Sequence, residues 1–365
     1  MHKSNILFLI IRSGSITGLL SSYNQKTGKE YFEIKKDIVF DVNHEYKSFD
    51  KETYKALEFV METCVNKNLK LPLPDKVVCI YSSPWFDSQI SEYDIPERKK
   101  GFSYKSLKDI VEDASNLDDD VVLIEQQIES VILNGYRTNN PEGQKYSEGS
   151  VTLLTSWITK DTKEGIEAVI HRVLSDREIQ HMTLPHIVKA VTGSHNPSYH
   201  LLDIHGEATD IINVQDDNID STGSIPIGVH HLIRSVQKDN QEYHEAYEEF
   251  DHILRGVKDP IASREEKINI RMILSRWVDL LNKIPDFKEN NNIVLISQNN
   301  TEKLFRDALQ NSNRDYNIDI QILDKSNFSR GLDKGYKDLN ITSLMIIDFW
   351  NKLDKKVVNI HRLQS

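Results

Sequence analysis

The stretch from residue 201 to 228 reads LLDIHGEATDIINVQDDNIDSTGSIPIG and holds the side chains best suited to chemistry. An apolar segment leads into Asp203, a small-residue turn follows at Gly206, and a second apolar segment begins after Asp210. A carboxylate at a strand end can face a hydrated metal ion on a phosphate chain, and glycine lets backbone N–H groups approach phosphate oxygens. The segment therefore predicts a phosphate-binding loop, with an ordinary β-hairpin and polar turn as the alternative.

This pattern resembles the second phosphate loop of actin-fold ATPases. The resemblance is to the bacterial cell-division family FtsA and its pilus-assembly relative PilM, whose loop reads D-I-G-G-G-T-T-D before a strand pair and I-P-x-G. The corresponding segments here are Asp203–Asp210 and Ile225–Gly228. The resemblance implies an α/β fold of the actin-like type (a duplicated ribonuclease H-like fold), with two halves and an α+β subdomain inserted in the first half.

The composition is that of an ordinary soluble protein. The chain has 365 residues, of which 38% are hydrophobic and 28% charged, so it can form two or more domains with real cores. Its net charge of −11 argues against a general nucleic-acid binder. Two cysteines, Cys64 and Cys79, cannot form a disulfide framework and fit a reducing cytosol. No apolar run reaches membrane-spanning length, so we expect any membrane contact to be made through a partner.

Hydrophobic periodicity predicts the first half at residues 1–82, together with 159–200 and a C-terminal helix at 341–353. The continuous apolar run Ile6–Ile11 is typical of a buried strand, and Lys51–Asn66 has the 3.6-residue spacing of an amphipathic helix. Further strands are predicted at Ser15–Ser22, Tyr31–Val42 and Val77–Tyr81, and a further helix at Lys163–Leu174.

Residues 83–158 are predicted to form the inserted subdomain. Strands are expected at Ser91–Ile95, Val121–Leu133 and Ser150–Ile158, with a helix capped by Ser103. Between the last two strands, Asn134–Gly143 resembles the D-G-x-x-x-x-x-P-x-G stretch of the FtsA insertion, although any long hairpin loop would use the same residue types.

The second half is predicted at 201–228 and 286–340, with a helical cap at 229–285. The cap contains three helical patterns, at Val229–Gln237, Tyr243–Leu254 and Arg264–Ile284. The remainder of this half contains strands at Ile293–Ile296 and Ile318–Leu323 and a helix from Thr301.

The resemblance also implies a nucleotide site made by three turns. Its predicted cofactor-binding residues are Ser13, Gly14, Ser15, Asp203, Gly206, Thr209, Ser297 and Gln298, and Asp203 is the predicted metal-facing residue. No catalytic residue is assigned.

Several positions depart from the family pattern. The first loop has Ile10 in place of Asp and Arg12 in place of Gly, and Leu184 occupies the position of the water-orienting Glu. His205 and Glu207 replace two glycines of the second loop. A leucine can neither orient nor deprotonate water, and a carboxylate about 4 Å from a phosphate costs roughly 1–4 kcal/mol. We therefore expect slow or absent hydrolysis, with ATP and Mg²⁺ bound weakly or not at all.

The favoured interpretation is an actin-like scaffold resembling FtsA or PilM that organises a membrane-associated assembly in cell division or a type IV pilus. Its expected partners are an FtsZ-like protein or a peptide of a pilus inner-membrane protein, and it could form a homo-oligomer or filament. The expected location is cytoplasmic, peripheral at the inner face of the membrane. The tail after Leu353 alternates partly like a strand, which argues against a direct membrane anchor.

Two alternatives remain open at this stage. The first is an active actin-fold ATPase, which would need a carboxylate in the first loop. The second is a metal-dependent hydrolase using the His195–His205 cluster, in which His195, His200 and His205 are spaced by five. That spacing suits neither one helix face nor one strand face.

Overall fold

The computed structural model describes residues 5–24, 29–39, 46–65, 73–115, 117–192, 198–257, 263–285, 287, 292–297, 301–312, 318–323 and 341–356. Within these ranges the chain forms three β-sheets covered by helices. Predicted features at 40–42, at His195 and at Gln298 lie outside the described residues.

The first sheet has the strand order β3-β2-β1-β4-β9. Strand β1 runs antiparallel to β2 and parallel to β4, which runs parallel to β9. The bounds are Ile6–Arg12 (β1), Ser15–Asn24 (β2), Lys29–Val39 (β3), Lys76–Tyr81 (β4) and Glu178–Thr183 (β9). Every residue of β1 is buried, as its continuous apolar run predicts.

Helices cover both faces of this sheet. Leu7 and Leu9 of β1 belong to a core shared with α1 (Tyr46–Cys64) and α3 (Lys160–Leu174). Phe8 and Ile10 belong to a second core with α4 (Leu184–Thr192) and α9 (Ile341–Lys356). Alternate side chains of one strand thus enter opposite cores, because successive residues in a strand point to opposite faces.

Helix boundaries differ from the prediction at both ends of the chain. Helix α1 begins at Tyr46, five residues before the predicted Lys51, and α9 continues to Lys356. Residues 354–356, predicted as part of a strand-like tail, are therefore helical. Within the described ranges, no helix is both long and apolar enough to cross a bilayer.

The second sheet repeats the arrangement of the first, with the order β12-β11-β10-β13-β14. Strand β10 is antiparallel to β11 and parallel to β13, which is parallel to β14. The bounds are Tyr199–Ile204 (β10), Thr209–Gln215 (β11), Asn218–Ile225 (β12), Asn292–Ser297 (β13) and Asp319–Ile322 (β14). The repeated strand order confirms the predicted duplicated two-half fold.

Strand β12 covers a polar segment in which hydrophobic periodicity predicts no strand. Of its eight residues only Ile219 and Ile225 are buried, and most of the others are polar and partly or fully exposed. Alternation of apolar and polar residues is the usual sign of a half-buried strand, and it is nearly absent here.

Four helices pack on the second sheet, and three of them lie within residues 229–285, where a helical cap is predicted. They are α5 (Val229–Arg234), α6 (Tyr243–Leu254), α7 (Arg264–Leu281) and α8 (Glu302–Ser312). Their apolar faces join Leu202 and Ile204 of β10 in one core around Trp277.

The insertion forms its own sheet of order β5-β8-β6-β7, with a helix α2 (Lys108–Ala114) on it. The strands are Asp87–Asp94 (β5), Val121–Leu133 (β6), Tyr136–Arg137 (β7) and Gly149–Thr159 (β8). Residues such as Phe102, Val131 and Val151 form a core of their own. Ser103 does not cap a helix with its side chain; its carbonyl instead accepts hydrogen bonds from Ser106.

The loop that resembles the FtsA insertion begins as a tight hairpin turn. Asn134 (φ 51°) and Gly135 (φ 78°) both adopt the left-handed backbone that a two-residue β-hairpin requires. The Asn134 side chain also accepts the N–H of Ser147 at 2.8 Å. The residue types of this turn therefore have a conformational explanation.

Two buried glutamates of β6 fasten the insertion to both halves. The Oε2 atom of Glu125 accepts the N–H (3.2 Å) and hydroxyl (2.7 Å) of Thr183 in the first half. The Oε2 atom of Glu129 accepts a bond from Lys189 in α4 and the N–H of Ile219 in β12 at 2.7 Å. One carboxylate thus contacts both halves of the molecule.

We predict that Glu125→Gln stabilises the protein at alkaline pH. Burial raises the pKa of Glu125 to about 7, above its ordinary 4.5. The folded state thus favours the protonated carboxyl, and this contribution is present below pH 4.5 and lost as pH rises through 7. A glutamine still accepts from Thr183 without the buried charge, so we expect a gain on the order of 1–3 kcal/mol at pH 8 in urea unfolding.

The matched control is Glu148→Gln, because Glu148 is exposed. We expect that variant to follow the wild-type pH dependence between pH 5 and 8. An unchanged pH dependence in Glu125→Gln would show that Glu125 is not the titrating group.

Candidate functional site

Two hairpin turns, one from each half, touch at the centre of the molecule. The β1–β2 turn contains Ser13, and the β10–β11 turn contains His205 and Glu207. The Glu207 N–H donates to the Ser13 hydroxyl at 2.9 Å and lies 3.3 Å from its carbonyl oxygen. The same hydroxyl lies 2.7 Å from Nδ1 of His205. The two predicted phosphate loops therefore bind each other directly.

Glycines make this close approach of the two turns possible. A Cβ atom on Gly206 would lie 1.9 Å from the carbonyl oxygen of Ser13. A Cβ on Gly14, whose φ is +84°, would lie 2.3 Å from the His230 ring. Gly206 was predicted to make room for phosphate oxygens, whereas here Ser13 backbone occupies the adjacent space. The contact between Gly206 and the Ser13 backbone therefore explains why position 206 needs a glycine.

A buried ion pair crosses the same junction. Nη2 of Arg12, at the end of β1, lies 2.9 and 3.1 Å from the two carboxylate oxygens of Asp203, at the end of β10. The two side chains are 4% and 2% exposed. Burial raises the pKa of Asp203, and the guanidinium opposes that shift. The carboxylate predicted to face a metal ion thus has a cation of the chain beside it.

A second carboxylate lies next to this pair. Asp210 is directly opposite Asp203 in the β10–β11 register, so both project from the same face. Its Oδ2 atom accepts the Ser83 N–H at 3.2 Å and lies 3.3 Å from Nε2 of His205. Burial alone would raise the pKa of Asp210, but His205 and Ser83 lower it below its ordinary value. Asp210 is therefore ionised at neutral pH.

The geometry brings together a possible metal-ligand set that the sequence did not predict as a set. Ligand atoms of Asp203, His205 and Asp210 all lie within 4.8 Å of one another, and all three residues are buried. Carboxylate and imidazole groups suit Mn²⁺ or Zn²⁺. However, Arg12 already contacts both oxygens of Asp203, and a divalent cation there would face its positive charge.

Glu207 is not placed to repel phosphates as expected. Both guanidinium nitrogens of Arg234 contact its carboxylate, at 2.7 and 2.5 Å, and Nδ1 of His230 lies 3.0 Å away. Burial opposes ionisation, but these partners hold the pKa of Glu207 well below its usual range. Its charge is thus compensated within the second half, and the predicted repulsion does not describe this arrangement.

The other predicted site residues make contacts within the protein. Thr209 donates its hydroxyl to the Ile227 carbonyl at 2.7 Å and accepts the Trp277 indole N–H at 2.9 Å. The Ser297 hydroxyl lies 2.5 Å from that of Thr301, at the start of α8. Ser15 is buried in β2 opposite Arg12. These contacts account for the residues structurally and leave their role in nucleotide binding a prediction.

Two positions at which the family carries carboxylates are part of the hydrophobic core. Ile10 is 1% exposed and Leu184 is 1% exposed, and both pack in the cluster between β1, α4 and α9. Neither side chain can position or deprotonate water.

The histidine cluster proposed for a hydrolase does not assemble among the described residues. His200 and Asp203 point to opposite faces of β10, because they are three residues apart in one strand. The His200 ring packs on Phe287 at 5.0 Å, and His195 lies outside the described residues.

Comparisons with known proteins give the fold. No family model and no curated protein matches the sequence. A chain of the PilM–PilN type IV pilus biogenesis complex superposes with a TM-score of 0.56 at 12% identity, over 94% of each chain. Together with the duplicated sheet order, this superposition shows the actin-like ATPase fold. The predicted fold class is thereby confirmed.

Two further solved structures are similar to this actin-like chain. A Bacteroides thetaiotaomicron protein with actin-like ATPase fold and unknown function covers 95% of this chain and 96% of its own, at 11% identity and TM-score 0.42. The ethanolamine utilization protein EutJ from Carboxydothermus hydrogenoformans has the same identity and TM-score, and the match covers 87% of this chain and 83% of EutJ.

We predict that Gly206→Ala separates the two turns and destabilises the protein. The added methyl group would overlap the backbone oxygen of Ser13, which a side-chain rotation cannot relieve. We expect a loss of at least about 1–3 kcal/mol in urea unfolding. Gly223→Ala is the matched control, because a Cβ there meets open space. Equal stability of the two variants would contradict the close contact.

We also predict strong coupling between Arg12 and Asp203. Arg12→Met leaves a buried carboxylate without its cation and should cost about 3–5 kcal/mol. Asp203→Asn in the same chain removes the orphaned charge, so the double variant should be more stable than the sum of the single losses. A double-mutant cycle measured by urea unfolding checks this, and additive losses would exclude a direct ion pair.

Proposed function

We propose that this protein is a non-hydrolysing actin-like scaffold that organises a membrane-associated assembly through protein contacts. The observation that carries the proposal is the buried Arg12–Asp203 pair at the junction of the two phosphate-loop positions. In this interpretation, the guanidinium takes the place of the hydrated metal ion that a nucleotide would bring.

The electrostatics of the pair support loss of nucleotide binding. Mg²⁺ beside Asp203 would lie within a few ångströms of Arg12, and like charges repel strongly in a site shielded from water. Moving Arg12 away would leave the buried Asp203 carboxylate without its guanidinium partner. A nucleotide would have to supply the free energy for this change before any net binding appeared.

Neither of two positions at which the family carries carboxylates has a group that could activate water. The side chains at the two positions where the resemblance implies carboxylates are Ile10 and Leu184, and both are packed in the core. A nucleotide that entered would thus meet apolar side chains at these positions, which supports slow or absent turnover.

The proposed partner is a peptide of a pilus inner-membrane protein. Its support is the similarity to a chain of the PilM–PilN type IV pilus biogenesis complex over 94% of both chains. Under this proposal the protein lies in the cytoplasm and reaches the membrane through that partner. An FtsZ-like partner, and assembly into homo-oligomers or filaments, are the alternatives within the same scaffold role.

The competing function is an active actin-fold ATPase. Asp203, Gly206 and Thr209 stand at the positions that the family motif uses, and this favours it. The ATPase hypothesis requires that Arg12 release Asp203 when ATP–Mg²⁺ arrives.

Calorimetry with ATP–Mg²⁺, combined with a phosphate-release assay, separates the two functions. We expect no saturable heat at millimolar nucleotide and no phosphate release above the buffer rate. The same measurements on Asp203→Asn provide the matched control. Stoichiometric binding with steady turnover in the wild type, lost in Asp203→Asn, would overturn the scaffold proposal.

A further inference from the structure

The surface of the insertion carries a group of exposed cations. Residues 97–108 include five Lys or Arg residues and one acidic residue, Glu97. A further lysine belongs to the neighbouring loop at 141–146. The whole chain has a net charge of −11, so this local positive excess departs from its overall composition. We define the basic patch as five of these cations: Arg98, Lys99, Lys100, Lys105 and Lys145.

Backbone contacts hold the two loops of the patch side by side. The Phe102 N–H donates to the Gln144 carbonyl at 2.8 Å, and the Gly143 N–H donates to the Phe102 carbonyl at 2.8 Å. Gly101 permits this approach, because its φ is +83° and a Cβ there would lie 2.7 Å from the Gly143 oxygen. The Phe102 side chain belongs to the core of the insertion. The cations of the patch therefore lie on a backbone that both loops hold in place.

The charges of the basic patch are not neutralised within the part of the chain that the structure describes. All five side chains are exposed, and none of them forms an ion pair with a described residue. The adjoining Lys108, in contrast, lies 3.4 Å from Glu112 and is left out of the patch. The acidic residues of the two loops are Glu97 and Glu142, and the Glu142 carboxylate accepts the Tyr104 N–H at 3.0 Å. Five cations beside two carboxylates leave this surface positive.

An anionic lipid surface is the partner that fits such a patch. Clusters of roughly four to eight Lys or Arg residues attract acidic phospholipid headgroups. The attraction acts within a Debye length of about 8 Å at physiological ionic strength, so acidic residues elsewhere on the chain do not cancel it. A nucleic acid presents the same kind of charge over a longer surface, and the net charge of −11 opposes that larger contact.

We propose that the basic patch makes direct electrostatic contact with an anionic phospholipid membrane. The proposal rests on the membrane-associated role proposed above and adds to it a contact made by this chain itself. Stable attachment to a membrane commonly takes two signals, and a polybasic patch is one such signal. The proposed peptide partner would supply the other.

Flotation of the full chain with lipid vesicles tests this contact. We expect the protein to float with vesicles of equal parts phosphatidylglycerol and phosphatidylcholine, and not with vesicles of phosphatidylcholine alone. Salt at about 1 M shortens the Debye length to about 3 Å and should release the protein. Equal flotation with both kinds of vesicle, or none with the acidic vesicles, would overturn the proposal.

A triple variant with Arg98→Gln, Lys99→Gln and Lys100→Gln tests the patch itself. All three side chains are exposed, so we expect the variant to fold as the wild type does. Each cation near an acidic membrane strengthens binding about fivefold, so loss of three should weaken binding to the acidic vesicles at least about tenfold.

The matched control removes the same charge from another exposed surface. It carries glutamine in place of three exposed arginines of α7, Arg264, Arg271 and Arg276. We expect this control to bind the acidic vesicles as the wild type does. An equal loss in the two triple variants would mean that overall charge sets the binding, and it would reject the patch.

A duplex DNA fragment, added while the acidic vesicles are in excess, provides the competing outcome. Flotation that persists supports the lipid contact. Release of the wild type from the vesicles together with binding to the DNA would assign the patch to nucleic acid and overturn the lipid assignment. The flotation mixture contains neither ATP nor a protein partner. Failure of lipid binding is therefore distinguishable from failure of the scaffold proposal, which the calorimetry tests.

Discussion

The buried ion pair between Arg12 and Asp203 constrains the centre of this molecule. It joins the end of the central strand of one sheet to the end of the central strand of the other, 191 positions apart in the chain. Both groups have lost their water, so each depends on the other for charge compensation. The neighbouring turns then close around the pair through Ser13 and Glu207. The relative position of the two halves is therefore linked to this charge contact, and a ligand between the loops would have to replace it.

Duplication of the fold explains why these groups meet. Each half begins with a hairpin whose first strand lies at the centre of its sheet, and the two hairpin turns face each other. Side chains at the ends of β1 and β10 thus enter the same space from opposite sides. The insertion adds a second connection, since Glu129 contacts α4 in the first half and β12 in the second. Opening of the cleft would have to break both connections, which favours a fixed arrangement of the halves.

The predictable part of this structure is the part encoded in local patterns. The continuous apolar run Ile6–Ile11 identifies a buried strand, and the periodic apolar residues of Tyr243–Leu254 identify a helix. Both can be predicted because the pattern of apolar residues within each segment shows which side chains are buried. Strand β12 was missed because few of its residues are buried. The contacts of the site were missed for another reason: the partner of Asp203 is Arg12 and the partner of Glu207 is Arg234, and no local spacing connects them. The sequence did contain one indication of the ion pair, because Arg12 is a charged residue at the end of an otherwise apolar strand.

The residue types of the β10–β11 loop do not by themselves require a bound nucleotide. A carboxylate at the buried end of β10 needs a cation, but a guanidinium satisfies that need as a metal ion would. Glycine at position 206 is required wherever another group approaches the backbone, and here that group is the Ser13 carbonyl instead of a phosphate. The same residue types are thus compatible with a nucleotide site and with a closed protein contact. In the proposed scaffold, residue 12 decides between the two, because an arginine there supplies the charge that the nucleotide's metal would otherwise bring.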